Sequence, residues 1–172
     1  MAQEEITRKI LQGKIFIYPT DTLYGLGCNA LDKKAVLRIR EIKKRDNKPF
    51  SVIAPSFGWI NENLIVDINL KKYLPGPYTI ILKKKNPDFL NWVSNIETLG
   101  IRIPNHKFTK IIQQAGVPFI TTSINFSGEK PAISLAEIPE EIKSQVDFII
   151  KSKEKLSGKP STLIIRGKEL RR

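Results

Sequence analysis

Apolar positions along the chain follow two periods that take turns. Short apolar runs appear first at residues 14–18 (KIFIY), then at 51–54, 78–82, 98–103, 118–122, 146–150 and 162–165. Runs of this length, rich in β-branched and aromatic residues, predict buried strands. Between them apolar residues recur at three- and four-residue spacing. Ile6, Ile10 and Leu11 predict a helix over 4–12, and Leu31, Ala35, Ile39 and Ile42 predict a second that Asp32 can cap. Residues 106–115 predict a third, closed by Gly116. Residues 19–27 (PTDTLYGLG) and 74–77 (LPGP) read as turns, and 151–160 (KSKEKLSGKP) reads as a mobile loop before the last strand. Interleaved strands and helices argue for one α/β domain over residues 1–172 with a mostly buried, twisted sheet.

The composition narrows the classes. At 172 residues and 41% apolar content the chain suits one soluble domain. No apolar run approaches the ~20 residues of a membrane span. The opening MAQEE is acidic and lacks an apolar signal core. One cysteine, Cys28, and one histidine, His106, leave no disulfide framework and no expected structural metal site, which fits a reducing cytoplasm. Lys and Arg number 29 against 17 Asp and Glu, a formal net charge of +12. Such a surplus attracts nucleotides, RNA or anionic lipid, or simply reflects a basic proteome; charge alone favours neither.

Four segments carry candidate chemistry. In 19–27 two threonines and close-spaced glycines could approach a ligand, or could form an ordinary hydroxyl-capped turn. Lys43, Arg45 and Lys48 could clamp a triphosphate, or could complement the negative end of the preceding helix. Arg102 interrupts an apolar alternation: it faces solvent, or a cleft where it could hold a carboxylate. His106 reads as a helix-start residue. Residues 121–128 (TTSINFSG) end a strand in hydroxyl and amide side chains, where open α/β sheets bind ligands; Ser161 and Thr162 repeat the pattern. There is no GxxxxGK(S/T) loop, no GxGxxG fingerprint and no GxSxG elbow. Catalysis here is expected to rest on positioning and electrostatics rather than on a protein nucleophile.

In this order, the segments resemble the YrdC/Sua5 family. YPTDTLYGLGCNA is similar to its PT(D/E)TxYGLG signature, IKKRDNKPFSV to KxR…KP, LPGPYTIIL to PGPxT and its strand, GIRIPNH to VRxPxH, TTSINFSG to SANxSG, and STLII to STVV. The resemblance implies a twisted open mixed sheet flanked by helices, with a positively charged concave face. It implies a threonylcarbamoyl-AMP synthase, joining L-threonine, bicarbonate or CO2 and ATP, with Mg2+ carried by ATP, for a threonylcarbamoyl modification of tRNA. Lys43, Arg45, Ser123 and Asn125 match the family's catalytic and ATP-binding K-x-R and S-x-N residues. Thr22, Arg102, Thr121 and Ser161 match its threonine contacts. Lys48 and Thr98 match nucleotide contacts, and Arg171 or Arg172 matches a terminal arginine near nucleotide.

The sequence also departs from the family pattern. The stretch from Arg45 to Pro49 is one residue shorter than usual, Ile53 stands where longer members have a histidine, and SIN replaces SAN. Beside the synthase stand two other expectations: an RNA-binding module that uses the basic face on tRNA or double-stranded RNA without synthase activity, and a related domain acting on another carbamoyl donor. A downstream transferase complex is the implied recipient of the product.

Overall fold

A computed structural model describes residues 1–171; Arg172, one of the two terminal arginines considered above, lies outside the described residues. Among the described residues, ten strands form one mixed sheet. They are β1 (Phe16–Pro19), β2 (Tyr24–Gly27), β3 (Ser51–Ile53), β4 (Leu64–Ile65), β5 (Tyr78–Lys84), β6 (Thr98–Arg102), β7 (Phe119–Ser123), β8 (Phe148–Ile149), β9 (Thr162–Ile165) and β10 (Lys168–Leu170). The order across the sheet is β10-β9-β5-β6-β3-β7-β2-β1-β8, with β4 paired to β5. The pairs β1–β8, β3–β6 and β5–β9 are parallel and the rest antiparallel.

Helices cover both faces, and strand alternation decides which side chains each face receives. On one face α1 (Gln3–Leu11) and α4 (Lys107–Ala115) bury Ile6, Ile10, Phe108 and Ile112 against Phe16, Tyr18, Ile53 and Phe119. Tyr18 and Phe108 stack at 4.8 Å between centroids. On the other face α2 (Lys33–Ile42) buries Ala35, Val36, Ile39 and Ile42 in the cluster that contains Ile15, Ile17, Leu26, Val52 and Ile120. Asp32 caps α2 by accepting from the Ala35 N–H, as its position before the apolar period predicts. Gly116 ends α4 at φ 67°, where glycine pays no Cβ penalty. Among the described residues, no helix is long and apolar enough to cross a membrane.

The end of α2 is less ordinary. The Lys44 N–H donates to Glu41 O and the Arg45 N–H to Arg40 O, the paired bonds of a Schellman turn. The turn places Lys44 at φ 49°, in the left-handed region that usually takes glycine and costs another residue about 1 kcal/mol.

Several expectations are corrected by the structure. Half of the segment read as turns, residues 19–27, is strand β2. Its glycines are there because neighbours leave no room for a side chain: a Cβ on Gly25 would lie 2.9 Å from the Tyr18 hydroxyl and ring. Leu11 and Leu31 do not join their helices' buried faces and are exposed, Leu31 because it precedes the Asp32 cap. The helices α3 (Phe57–Asn63) and α5 (Glu140–Lys143), and the strands β4 and β10, are too short to show a period. Residues 151–160 are tied down by backbone bonds to residues 21 and 22.

One outcome follows from the tight crossing of β2 and β7. A Cβ on Gly27 would lie 2.0 Å from the Ile120 carbonyl oxygen and 2.7 Å from the Phe119 ring. Backbone cannot yield as a side-chain tip can, so Gly27→Ala is expected to lower unfolding free energy by about 3 kcal/mol in denaturant titrations. A loss within experimental error would show that the two strands separate at little cost.

Candidate functional site

The loop between β1 and β2 is a hydroxyl-built turn. The Thr20 hydroxyl donates to Leu23 O at 2.7 Å and accepts from the N–H groups of Thr22 and Leu23. Because that proton is committed, the 2.9 Å contact between the Thr20 and Thr22 hydroxyls must use the proton of Thr22. Thr22 therefore meets its other neighbours as an acceptor. Arg102, the last residue of β6, donates from Nη2 to Thr22 Oγ1 and to Asp21 Oδ1, each at 3.0 Å. The second oxygen of Asp21 accepts from the Asn105 N–H at 2.9 Å, so one carboxylate fixes both Arg102 and the chain just beyond it.

Arg102 is 8% exposed and answers to a single carboxylate. Burial pulls its pKa down and Asp21 pushes it back up; a guanidinium stays charged under such shifts. Among the described residues, its Nε is the one buried side-chain nitrogen or oxygen with no hydrogen-bond partner. Buried donors are rarely left so, because each costs ~1–3 kcal/mol.

Arg102 lines a small cavity of about 70 Å³ with Thr20, Thr22, Ser51, Thr79, Thr121, Ser123 and Ser161 among its walls. Hydroxyls thus come from the β1–β2 loop, β3, β5, β7 and the residue before β9. Thr79 and Ser161 share a 2.7 Å hydrogen bond across the parallel β5–β9 pair. A larger cavity of about 550 Å³ lies between α1, α4 and residues 150–154, and it contains none of the predicted site residues. The smaller one gathers Thr22, Arg102, Thr121, Ser123 and Ser161.

Lys43 and Asn125 adjoin this cavity through Ser123. Lys43 caps α2, is 1% exposed, and donates from Nζ to the Ser123 carbonyl, to Asn125 O at 2.8 Å and to Asn125 Oδ1 at 3.0 Å. Ser123 Oγ donates to the same Asn125 Oδ1 at 2.7 Å, and Asn125 Nδ2 donates to Glu129 O. The Ser127 N–H donates to Lys43 O. The helix end and the loop after β7 are thereby one unit. Burial, with the Arg45 charge adding to it, lowers the Lys43 pKa to about 7.

The remaining predicted residues lie farther out. Arg45 is half-buried, donates to Pro49 O at 2.7 Å and to Lys48 O, and lies 4.9 Å from the Phe50 ring centroid, holding its own loop in shape. Lys48 is exposed, and its carbonyl accepts from both Arg40 and Arg45. Thr98 starts β6 and pairs with Lys83, four residues from Arg102 and so ~13 Å along the strand. Arg171 is exposed beyond β10. Ile53 is buried with Phe16 and Tyr18. His106 caps α4, accepting from the Phe108 N–H, and its Nε2 lies 3.3 Å from Ser152 Oγ.

Asp21, Ser51 and Thr79 complete the site without having been singled out from the sequence, whereas Thr20 is one of the two threonines noted in residues 19–27. Asp21 does so by restraining Arg102, a contact across 81 positions that no local pattern reveals. The N–H groups of Ser157 and Gly158 donate to Asp21 O and Thr22 O, and the Ser152 N–H donates to the Tyr24 hydroxyl. The arrangement offers a buried cation with an unpaired N–H, a set of hydroxyls around the cavity and a second buried cation. It suits a small polar molecule with a carboxylate, next to a larger anion.

Comparison with known proteins gives a consistent picture. Residues 8–171 match the Sua5/YciO/YrdC family model, described as telomere recombination. A Methanocaldococcus jannaschii protein, provisionally named a threonylcarbamoyl-AMP synthase, is 40% identical over 94% of this chain and 78% of its own length. The Pyrococcus abyssi threonylcarbamoyl-AMP synthase is 33% identical over 90% of this chain, which spans only 48% of that protein. In solved structures, P. abyssi Sua5 complexed with L-threonine superposes with TM-score 0.82 at 29% identity, covering 96% of this chain and 51% of that one. E. coli YciO superposes with TM-score 0.82 at 28% identity, covering 98% and 86%.

Lys43 also makes a statement about stability. Its pKa is about 7 when folded against 10.5 when unfolded, so the unfolded chain binds this proton more tightly. The cost is constant below pH ~7 and fades as pH rises toward ~10, adding up to about 1.4 kcal/mol of stability per pH unit. Denaturation of wild type and Lys43→Met across that window is expected to show this rise in the wild type alone. Parallel curves would mean that the three oxygens around Nζ hold the ammonium at its ordinary pKa.

Proposed function

The chain belongs to the Sua5/YciO/YrdC family, and on that premise we propose that it is an L-threonylcarbamoyladenylate synthase, acting on L-threonine, bicarbonate or CO2 and ATP for tRNA modification. The observation that carries this reading is Arg102: buried, held at Nη2 by Asp21 and Thr22, unpaired at Nε, and part of the lining of a hydroxyl-lined cavity. Nη2 is committed to Asp21 and Thr22, so a carboxylate would be met by a charge-assisted bond from the unpaired Nε–H. The threonine held by the Pyrococcus relative supports an amino acid as its occupant.

In this reading Arg102 binds the threonine carboxylate, while Thr22, Thr121 and Ser161 surround the rest of the amino acid. The threonine amine attacks CO2, or bicarbonate with loss of water, and forms N-carboxythreonine. The new carboxylate attacks the α-phosphorus of ATP; the bond to the bridging oxygen breaks, and pyrophosphate leaves with the electron pair. The nucleophile comes from the substrates, so the protein's work is to orient reactants and neutralise charge. Holding them in place can lower the barrier by ~7–11 kcal/mol.

Lys43 is assigned to answer the phosphate charge, and an anion nearby would raise its pKa from about 7 and favour the ammonium. Ser123 and Asn125 position that ammonium. Arg45 and Lys48 extend the cationic edge toward solvent, and Thr98 is assigned to the nucleotide's far end. Among the described residues no group of three or more His, Cys, Asp or Glu side chains could hold a metal. Magnesium is assigned to the ATP phosphates as part of the substrate. Residues 151–160, hydrogen-bonded over Asp21 and Thr22, serve as a cover that keeps water from the mixed anhydride.

Pyrophosphate release from ATP is expected only when threonine and bicarbonate are both present, with the adenylate detected by mass. Arg102→Lys keeps the charge and loses the fork, and is expected to raise the KM for threonine about tenfold or more. Release that ignores threonine, or an unchanged KM, would remove this reading.

A further inference from the structure

Lys44 separates the two cations of the K-x-R turn, and three observations about it do not fit a passive spacer. Its backbone is in the left-handed region at φ 49°, where glycine is the natural residue. Its side chain forms an ion pair with Glu141 at 3.1 Å, but the two are 63% and 56% exposed, and exposed pairs contribute little to folding. Its ammonium also sits 4.2 Å over the centroid of the Phe126 ring. Stability therefore gives no reason for a lysine in a turn that strains it. What it touches does: Phe126 follows Asn125 in the loop that accepts Lys43, and Phe126 is packed against the main core.

We infer that Lys44 is a positioning residue that clamps the loop of residues 123–128 onto the end of α2, and so sets the distance between Lys43, Ser123 and Asn125. The clamp has a main-chain part, the Ser127 N–H to Lys43 O bond, which any residue at 44 retains. The side-chain part belongs to Lys44 alone: a cation over a ring on one side and a carboxylate of α5 on the other. Asn125 Oδ1 accepts from both Lys43 Nζ and Ser123 Oγ, so a small displacement of the loop disturbs both bonds together. The inference rests on the synthase reading for its kinetic arm, but not for its structural one.

The test uses Lys44→Gly, Lys44→Arg and Phe126→Leu in the full chain. Glycine relaxes the turn and deletes the clamp, so its melting temperature is expected to hold or rise. Its kcat/KM for ATP is expected to fall about ten- to hundredfold, because misplacement on the ångström scale is costly in a positioning enzyme. Amide exchange at residues 124–129 is expected to quicken in Lys44→Gly and in Phe126→Leu, which removes the ring without touching the turn. Lys44→Arg, which keeps a cation over the ring, is expected to restore both activity and exchange protection. A Lys44→Gly protein with wild-type exchange and turnover overturns the inference, and so does a loss of activity that merely follows a lower melting temperature. If wild type itself released no pyrophosphate with threonine and bicarbonate, the synthase reading would fall, and the exchange measurements would still decide the role of Lys44.

Discussion

A permanent positive charge taken out of water must be answered, and at Arg102 the protein supplies only part of the answer. Asp21 and Thr22 satisfy one nitrogen, and Nε is left buried without a partner. Removing one member of a buried pair commonly costs ~3–5 kcal/mol, so the Asp21 contact holds the β1–β2 loop against the end of β6. The rest of the cavity depends on that closure. Thr20 orders the loop, Asp21 also binds the Asn105 N–H, and residues 157 and 158 hydrogen-bond to the loop's outer carbonyls. An anion that reaches Nε completes a set of bonds the fold leaves unfinished.

The second cation repeats the theme with a different balance. Lys43 is surrounded by three protein oxygens and has no carboxylate partner among them. Burial therefore favours its neutral form, and a phosphate favours the charged one. Two buried cations of different character, a rigid fork and a tunable ammonium, bond to Thr22 and to Ser123, both of which line the cavity. That division suits a reaction with two anionic substrates and no protein nucleophile. The sheet order explains how residues 102, 123 and 161 come together, since β9 pairs with β5, β5 with β6, β6 with β3 and β3 with β7, and Lys43 joins them from the end of α2 through Ser123.

Much of the sheet is legible in the sequence, because a buried strand such as β1 is built on an uninterrupted apolar run, residues 15–18, that lies between Lys14 and Pro19. The ends of α2 and α4 are equally legible, since Asp32 and Gly116 work through local backbone chemistry. β2 is not: Gly25 and Gly27 read as turn residues, whereas they are strand residues whose Cβ positions are filled by Tyr18 and Ile120. The same limit applies to the site. Thr22, Arg102, Thr121 and Ser161 come to attention through the polar chemistry of their segments, the family resemblance gives them a shared role, and they prove to line one cavity. The partners that restrain them do not, because Asp21 meets Arg102, and Thr79 meets Ser161, only through pairings set by the whole sheet. Residues 151–160 look mobile by composition, yet their backbone N–H groups find acceptors on the loop beneath.

The account turns on what occupies the open side of Arg102. A crystal structure of this chain with L-threonine tests it most directly. The account predicts the threonine carboxylate within ~3 Å of Arg102 Nε, with the amine directed toward the Lys43–Ser123–Asn125 side and the Asp21 contact intact. Threonine bound elsewhere, or Nε satisfied by a protein atom while threonine is present, would contradict it.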